Sequence, residues 1–115
     1  MTDVQYFEGP ETRQLPKSVV KRDGSLKPFN HGKILSAILR AGQATGEFSA
    51  AAARDVTAQV LRIIAHRYPH RAPTIENVQD IVEQQLIAAG YLVTARAYIV
   101  YREQHQKLRE DRRTL

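Results

Sequence analysis

No cysteine occurs in these 115 residues. That excludes a disulfide scaffold, a cysteine nucleophile, thiol redox chemistry and any thiolate-held zinc. Long apolar runs are missing too: none approaches the ~20 residues that a membrane-spanning helix needs. Residues 1–11 are mixed and polar, without the apolar core of a signal peptide. The cytoplasm is therefore the expected compartment, with no membrane partner. Neither of the common phosphate-cradling motifs is present, since no glycine-rich loop ends in Lys-Ser or Lys-Thr and no GxGxxG stretch occurs. Any nucleotide site must be built another way. His66 and His70 stand four apart, but Pro69 interrupts the helical spacing and no carboxylate lies near. No metal site is expected from them. No Ser/His/Asp set stands out, so no catalytic residue is assigned.

What is present describes an ordinary globular domain. The hydrophobic fraction is 43% and the charged fraction 25%, and the length suits one domain with a modest core. Seventeen Lys and Arg against twelve Asp and Glu leave a formal charge of +5. That surplus favours an anionic partner, whether nucleic acid, nucleotide or acidic protein surface. Residues 1–17 carry Gly9, Pro10 and Pro16 and no sustained period, which reads as a flexible tail. The domain is expected over 18–109, with 110–115 as a charged extension.

Ser18-Val19-Val20-Lys21 reads as a short strand, Asp23-Gly24-Ser25 as a turn, and Leu26 to Phe29 as the returning strand. Pro28 lacks an N–H, which keeps that second strand short or at an edge. The period then becomes helical. Asn30 can cap a first helix whose apolar face holds Ile34, Leu35, Ile38 and Leu39 and which fades near Gly42 to Gly46. Ser49 can cap a second, with Val56, Val60 and Ile64 inward and Tyr68-Pro69 as its stop. Thr74 can cap a third, with Val78, Ile81, Val82 and Leu86 inward and Gly90 ending it. A fourth is expected from Leu92, with Ala95, Tyr98 and Ile99 as its stripe. Beyond Arg102 it turns almost wholly polar, with nothing to bury against this core. Tyr98 is assigned to the core, and Tyr101 is open to either role.

The residues that suggest chemistry lie at the first turn and the first helix. Lys21 and Arg22 are adjacent cations at the tip of a tight hairpin, and Lys33 falls in the first turn of the helix after it. A cation there opposes the helix macrodipole, so Lys33 does not serve helix stability. An anion held jointly by the helix N–H groups and the ammonium would resolve the conflict. The alternative is a solvated basic hairpin.

Lys21-Arg22-Asp23-Gly24-Ser25, then Phe29-Asn30 and Lys33-Ile34, resembles the opening of the ATP-cone domain. Thr74-Ile75-Glu76-Asn77-Val78-Gln79-Asp80 and Ala95-Arg96-Ala97-Tyr98-Ile99-Val100-Tyr101-Arg102 resemble that family's third and fourth helices. The resemblance runs from about Ser18 to Arg109, with its motifs in the family's order. It implies an α+β fold in which a small β-hairpin or sheet caps a four-helix bundle. It also implies ATP or dATP as allosteric effector, with Mg²⁺ as a companion that a triphosphate admits.

Such domains mostly precede ribonucleotide reductase catalytic cores. The implied partners are therefore adenine nucleotides and that core, reached beyond 110–115, in a nucleotide-dependent oligomer. By the same resemblance Lys21, Arg22 and Lys33 meet phosphates and Val19 lies against the base. Asn30 stands at the start of the first helix. Thr74 and Gln79 face adenine or ribose, and Tyr101 and Arg102 close the pocket. Lys27 stands where some relatives place an acidic residue that reads the base, and Gln79 where some carry His. These departures bear on base contacts and on the preference between ATP and dATP. Among reductase classes, the basic ending looks most like the anaerobic glycyl-radical enzymes.

Lack of cysteine excludes both a reductase catalytic subunit and the zinc ribbon that accompanies the cone in a repressor of reductase genes. The competing function is a helical protein-interaction or DNA-binding regulatory module. Nucleic acid is the less favoured partner, because Glu110 and Asp111 dilute the basic run and no helix clusters Arg with Asn or Gln.

Overall fold

Val20 to Ser25 forms a turn closed by its own hydrogen bonds. In the computed structural model, which describes residues 15–114, β1 (Ser18–Val20) pairs antiparallel with β2 (Leu26–Pro28), Val19 opposite Lys27. The turn between them is held by Lys21 N–H donating to Ser25 O and Gly24 N–H to Lys21 O. Gly24 sits at φ 88°, a left-handed conformation that favours glycine. Asp23 Oδ1 accepts from both the N–H and the hydroxyl of Ser25, at 2.9 and 2.6 Å. On its other side β1 is tied to the segment before the third helix, because Val20 N–H donates to Pro73 O at 2.9 Å. Lys17 O accepts from Phe29 N–H, extending the hairpin by one rung. Of the lead-in expected over residues 1–17, residues 1–14 lie outside the described residues.

Four helices follow: α1 (His31–Thr45), α2 (Ala50–Arg67), α3 (Ile75–Ala88) and α4 (Leu92–Thr114). Each packs on the next and α4 returns against α1, so the architecture is the expected α+β one, a hairpin on a four-helix bundle. Three of the expected boundary residues act as such. Asn30 Oδ1 accepts from Gly32 N–H at 3.0 Å. Thr74 forms a reciprocal capping box with Asn77, its hydroxyl accepting from Asn77 N–H and its own N–H donating to Asn77 Oδ1. Gly90, at φ 87°, ends α3. Ser49 precedes α2 as expected but makes no side-chain cap bond. A Thr74→Ala chain is expected to lose about 1 kcal/mol, which is the usual worth of such a cap. In a thermal melt that is a fall of roughly 4–8 °C for a domain of this size.

The core is continuous between the helices. Ile38, Val60, Ile64 and Leu86 are fully buried, and Ile81, Val82, Ala95 and Tyr98 nearly so. Gly42 does not end α1; it is buried inside it, because the Phe48 ring occupies the space a Cβ would need. Phe48 in turn packs on Tyr91, ring centroids 4.5 Å apart, which pins the α1–α2 loop to the start of α4. Gly46, at φ 73°, supplies the actual stop.

That pinning carries a charge with it. Glu47, in the α1–α2 loop, accepts from the N–H and hydroxyl of Thr94 at 2.7 and 2.6 Å, and from Val93 N–H at 3.3 Å. It caps α4, whose own first turn holds no acid. The Thr94 hydroxyl bond, opposed by partial desolvation and helped by the two N–H groups, holds the Glu47 carboxyl below its ordinary value of 4.5. The folded chain therefore releases this proton more readily than the unfolded one. The stabilisation is present above the unfolded value and is lost as pH falls through the folded one. Melts of a Glu47→Gln chain are expected to start below wild type at pH 7, and the gap is expected to narrow below about pH 4.5, the ordinary carboxyl value.

Candidate functional site

Where the hairpin meets the bundle, the helices leave a cavity of about 460 Å³. Its floor is apolar and comes from every element but α2: Val19 from β1, Phe29 from the strand's end, Ile34 from α1, Ile75, Val78 and Val82 from α3, and Tyr98 from α4. Its rim is polar, formed by Asn30, Lys33 and Arg40 on one side, Gln79 on another, and Tyr101, His105 and Arg109 along α4. Burial, opposed by the positive charge of Arg102 and helped by Glu83, Tyr101 and Asp80, pushes the Tyr98 hydroxyl up to about 12. That phenol is neutral at physiological pH.

A second recess of about 490 Å³ adjoins the first. It is lined by Lys21, Arg22, Asp23, Lys27, Ile75, Arg109 and Glu110, and shares Lys27, Ile75 and Arg109 with the cavity. The two spaces therefore adjoin along a shared wall, a trough whose first part has an apolar floor and whose second part is lined mainly by charged side chains. Burial first, then the proximity of Lys33, Lys21 and Arg109, lowers the Lys27 ammonium below its ordinary value. The other three cations thus stand close enough to Lys27 to act on it, and among the described residues none of the four is in an ion pair with a carboxylate. Arg22 is in one: its Nε lies 2.9 Å from Glu76 Oε2 in the first turn of α3.

The nine residues singled out from sequence fall into three groups. Val19, Asn30, Lys33, Gln79 and Tyr101 line the cavity, and Lys21 and Arg22 line the recess. Thr74 and Arg102 line neither. The Thr74 hydroxyl is engaged in the α3 cap. Arg102 Nη1 bonds Asp80 Oδ1 at 2.9 Å and Glu83 Oε1 at 2.8 Å, fastening α4 to α3. Both residues position the elements that carry the walls.

Sequence reasoning missed Arg40, His105 and Arg109. The signal was available in the helical period. Tyr98, Tyr101, His105 and Arg109 follow at steps of three, four and four, so the buried stripe of α4 continues as a polar stripe on the same face. The Tyr101 and His105 rings are in contact, centroids 4.1 Å apart. The distal part of α4 is exposed, and His105 and Arg109 on one face of it line the trough.

Residues 17–107 match the family described as the ATP cone domain. The chain belongs to the ATP-cone family. Among curated relatives, this cone is 39% identical over 95 residues to the anaerobic ribonucleoside-triphosphate reductase of Salmonella typhimurium, covering 82% of the chain and 13% of that protein. It is 31% identical over 102 residues to the ribonucleoside-diphosphate reductase subunit alpha of Chlamydia pneumoniae, covering 83% of the chain and 10% of the relative. With the vitamin B12-dependent ribonucleoside-diphosphate reductase of Thermoplasma acidophilum it shares 31% identity over 101 residues, 84% of the chain and 13% of the relative. The cone thus spans roughly a tenth of the length of these relatives, and the rest of each enzyme lies outside the aligned region.

Proposed function

We propose that this cone binds ATP and dATP as allosteric effectors and regulates the overall activity of a ribonucleotide reductase, contributing no catalytic group itself. One observation supports the reading: a cavity with an apolar floor adjoins a recess in which four cations, Lys21, Arg22, Lys27 and Arg109, outnumber two carboxylates. A purine nucleoside triphosphate has the same division, a flat apolar base at one end and about four negative charges at the other. In this reading the base lies on Val19, Ile75 and Val78, with Asn30 and Gln79 offering hydrogen bonds to ribose or base edge. The phosphates extend past Lys33 toward Lys21 and Arg22. Tyr101 covers the open side. Thr74 and Arg102 act indirectly, one setting the start of α3 and the other the seating of α4.

Regulation requires that the effector bind two arrangements of the host unequally, since a ligand indifferent to both shifts neither. The reductase core is the proposed partner, and nucleotide-dependent assembly with it the proposed output.

The direct test is a thermal melt of this chain with dATP or ATP. At one hundred times Kd, linkage adds about 2.7 kcal/mol to the folded state, a rise of roughly 10 °C or more for a domain of this size. No rise at millimolar nucleotide would overturn the reading. Glu76 provides a second handle, because its carboxylate holds Arg22 and would repel a phosphate. A partly exposed pair of this kind contributes only about 0–1 kcal/mol to folding. A Glu76→Gln chain is therefore expected to melt within a few degrees of wild type, yet to bind dATP about two- to fivefold more tightly, the same ~0–1 kcal/mol now released to the ligand. Calorimetric titration measures it.

A further inference from the structure

Between residues 103 and 110 every side chain of α4 is exposed, Leu108 included at 54%. The last half-buried position is Arg102, held by Asp80 and Glu83. Over 103–110 α4 thus buries no side chain against the bundle, and helices stabilised mainly by their own turns are marginal. Yet Arg109 lines both the cavity and the recess. It stands eleven residues beyond Tyr98 on the same face, about 16 Å along the axis at 1.5 Å per residue. There it lines the same two spaces as Lys27 of the hairpin, on whose ammonium its charge acts.

We propose that Arg109 and Lys27 form the outer wall of the polyphosphate site, so that a bound triphosphate fastens the distal half of α4 to the hairpin. The inference rests on the nucleotide reading above and extends it to a part of the chain that reading does not use. Three features support it. Arg109 and Lys27 are shared by both spaces, so a ligand crossing from one to the other passes between them. Both are free of carboxylate partners among the described residues, and both stand in a cluster with Lys21 and Lys33. The acids of the recess are engaged elsewhere: Asp23 accepts from Ser25, and Glu110 Oε2 accepts from Gln106 at 3.5 Å. Lys27 feels the charge of the other three cations, and an anion of several charges placed among them offsets that charge.

The consequence is that α4 reads phosphate count. A guanidinium suits bidentate contact with a phosphate group. A monophosphate anchored by Lys33 at the cavity rim does not reach Arg109, whereas a triphosphate does. Backbone hydrogen exchange over residues 103–110 is thus expected to slow on binding a triphosphate and to stay fast with a monophosphate.

The experiment compares wild type, Arg109→Ala and Lys107→Ala by hydrogen exchange and calorimetry, with dATP, dAMP and inorganic tripolyphosphate as probes. Lys107 is exposed, lines neither space, and serves as the charge control. Arg109→Ala is expected to melt like wild type, to bind dATP tenfold or more weakly, to bind dAMP within twofold of wild type, and to lose the protection of 103–110. Lys107→Ala is expected to keep that protection. Wild-type dATP affinity in Arg109→Ala, or undiminished protection of 103–110, overturns the proposal. Tripolyphosphate separates the two readings. If it slows exchange in an Arg109-dependent way while dATP does not bind, the anion wall stands and the adenine assignment falls. If neither probe binds wild type, both fall.

Discussion

A Lys33→Ala chain is expected to bind dATP about tenfold to a hundredfold more weakly while its melting temperature holds or rises. The two signs come from the same side chain. Lys33 is exposed in the first turn of α1, with no acid beside it in that turn and no ion-pair partner among the described residues. A cation at a helix N-terminus costs about 0.3–1 kcal/mol against the macrodipole, and alanine is the better helix former. Stability therefore has nothing to lose. A charge-assisted hydrogen bond to phosphate, in contrast, is worth about 1.5–3 kcal/mol, which corresponds to roughly tenfold to 150-fold in affinity. Calorimetry and a thermal melt on the same sample separate the effects. Lys33→Arg, which keeps the charge, is expected to retain part of the binding. Undiminished affinity in the alanine chain would remove Lys33 from the site and leave the fold untouched.

The largest effect on stability is expected from Leu86→Ala, at about 2–5 kcal/mol. Leu86 is fully buried in α3 within the same cluster as Ile38, Val60, Ile64 and Tyr98. Truncation removes the transfer energy of the lost methyl groups and leaves a void that four rigid helices fill only in part. Domains of this size hold together by about 5–15 kcal/mol in all, so the loss takes a large share of the total. A fall in melting temperature of roughly 10–25 °C is the expected reading. Leu108→Ala is the matched control, because that leucine is 54% exposed on distal α4. Surface changes of this kind stay within about 0.5 kcal/mol. Equal melting of the two variants would show that the α3 stripe does not form the core described above.

Local signals were legible wherever one residue and its near neighbours decide the conformation. Asp23-Gly24-Ser25 specifies its turn because glycine accepts φ 88° and the aspartate carboxylate bonds two residues on. Asn30 and Thr74 mark helix starts because their side-chain oxygens reach N–H groups two and three residues ahead. The stripes of α2 and α3 were equally plain, since period alone places Val56, Val60 and Ile64, or Ile81, Val82 and Leu86, on a buried face. The end of α1 falls at Gly46, inside the Gly42 to Gly46 stretch where its period fades. What no local signal tells is why Gly42 stands within the helix, which the Phe48 ring lying against it explains.

By itself, then, the chain's order of residues determined a basic hairpin, four helices, their caps, and the seven-residue set of Val19, Lys21, Arg22, Asn30, Lys33, Gln79 and Tyr101 that comes to the trough. Tertiary structure alone decided that Thr74 caps α3, that Arg102 ties α4 to α3, that Glu47 caps a helix 46 residues away, and that Arg109 lines the same recess as Lys27. The reason is geometric. Period and capping depend on neighbours within one turn, whereas a trough depends on the phase and crossing of several helices, and those are set only when all four have packed.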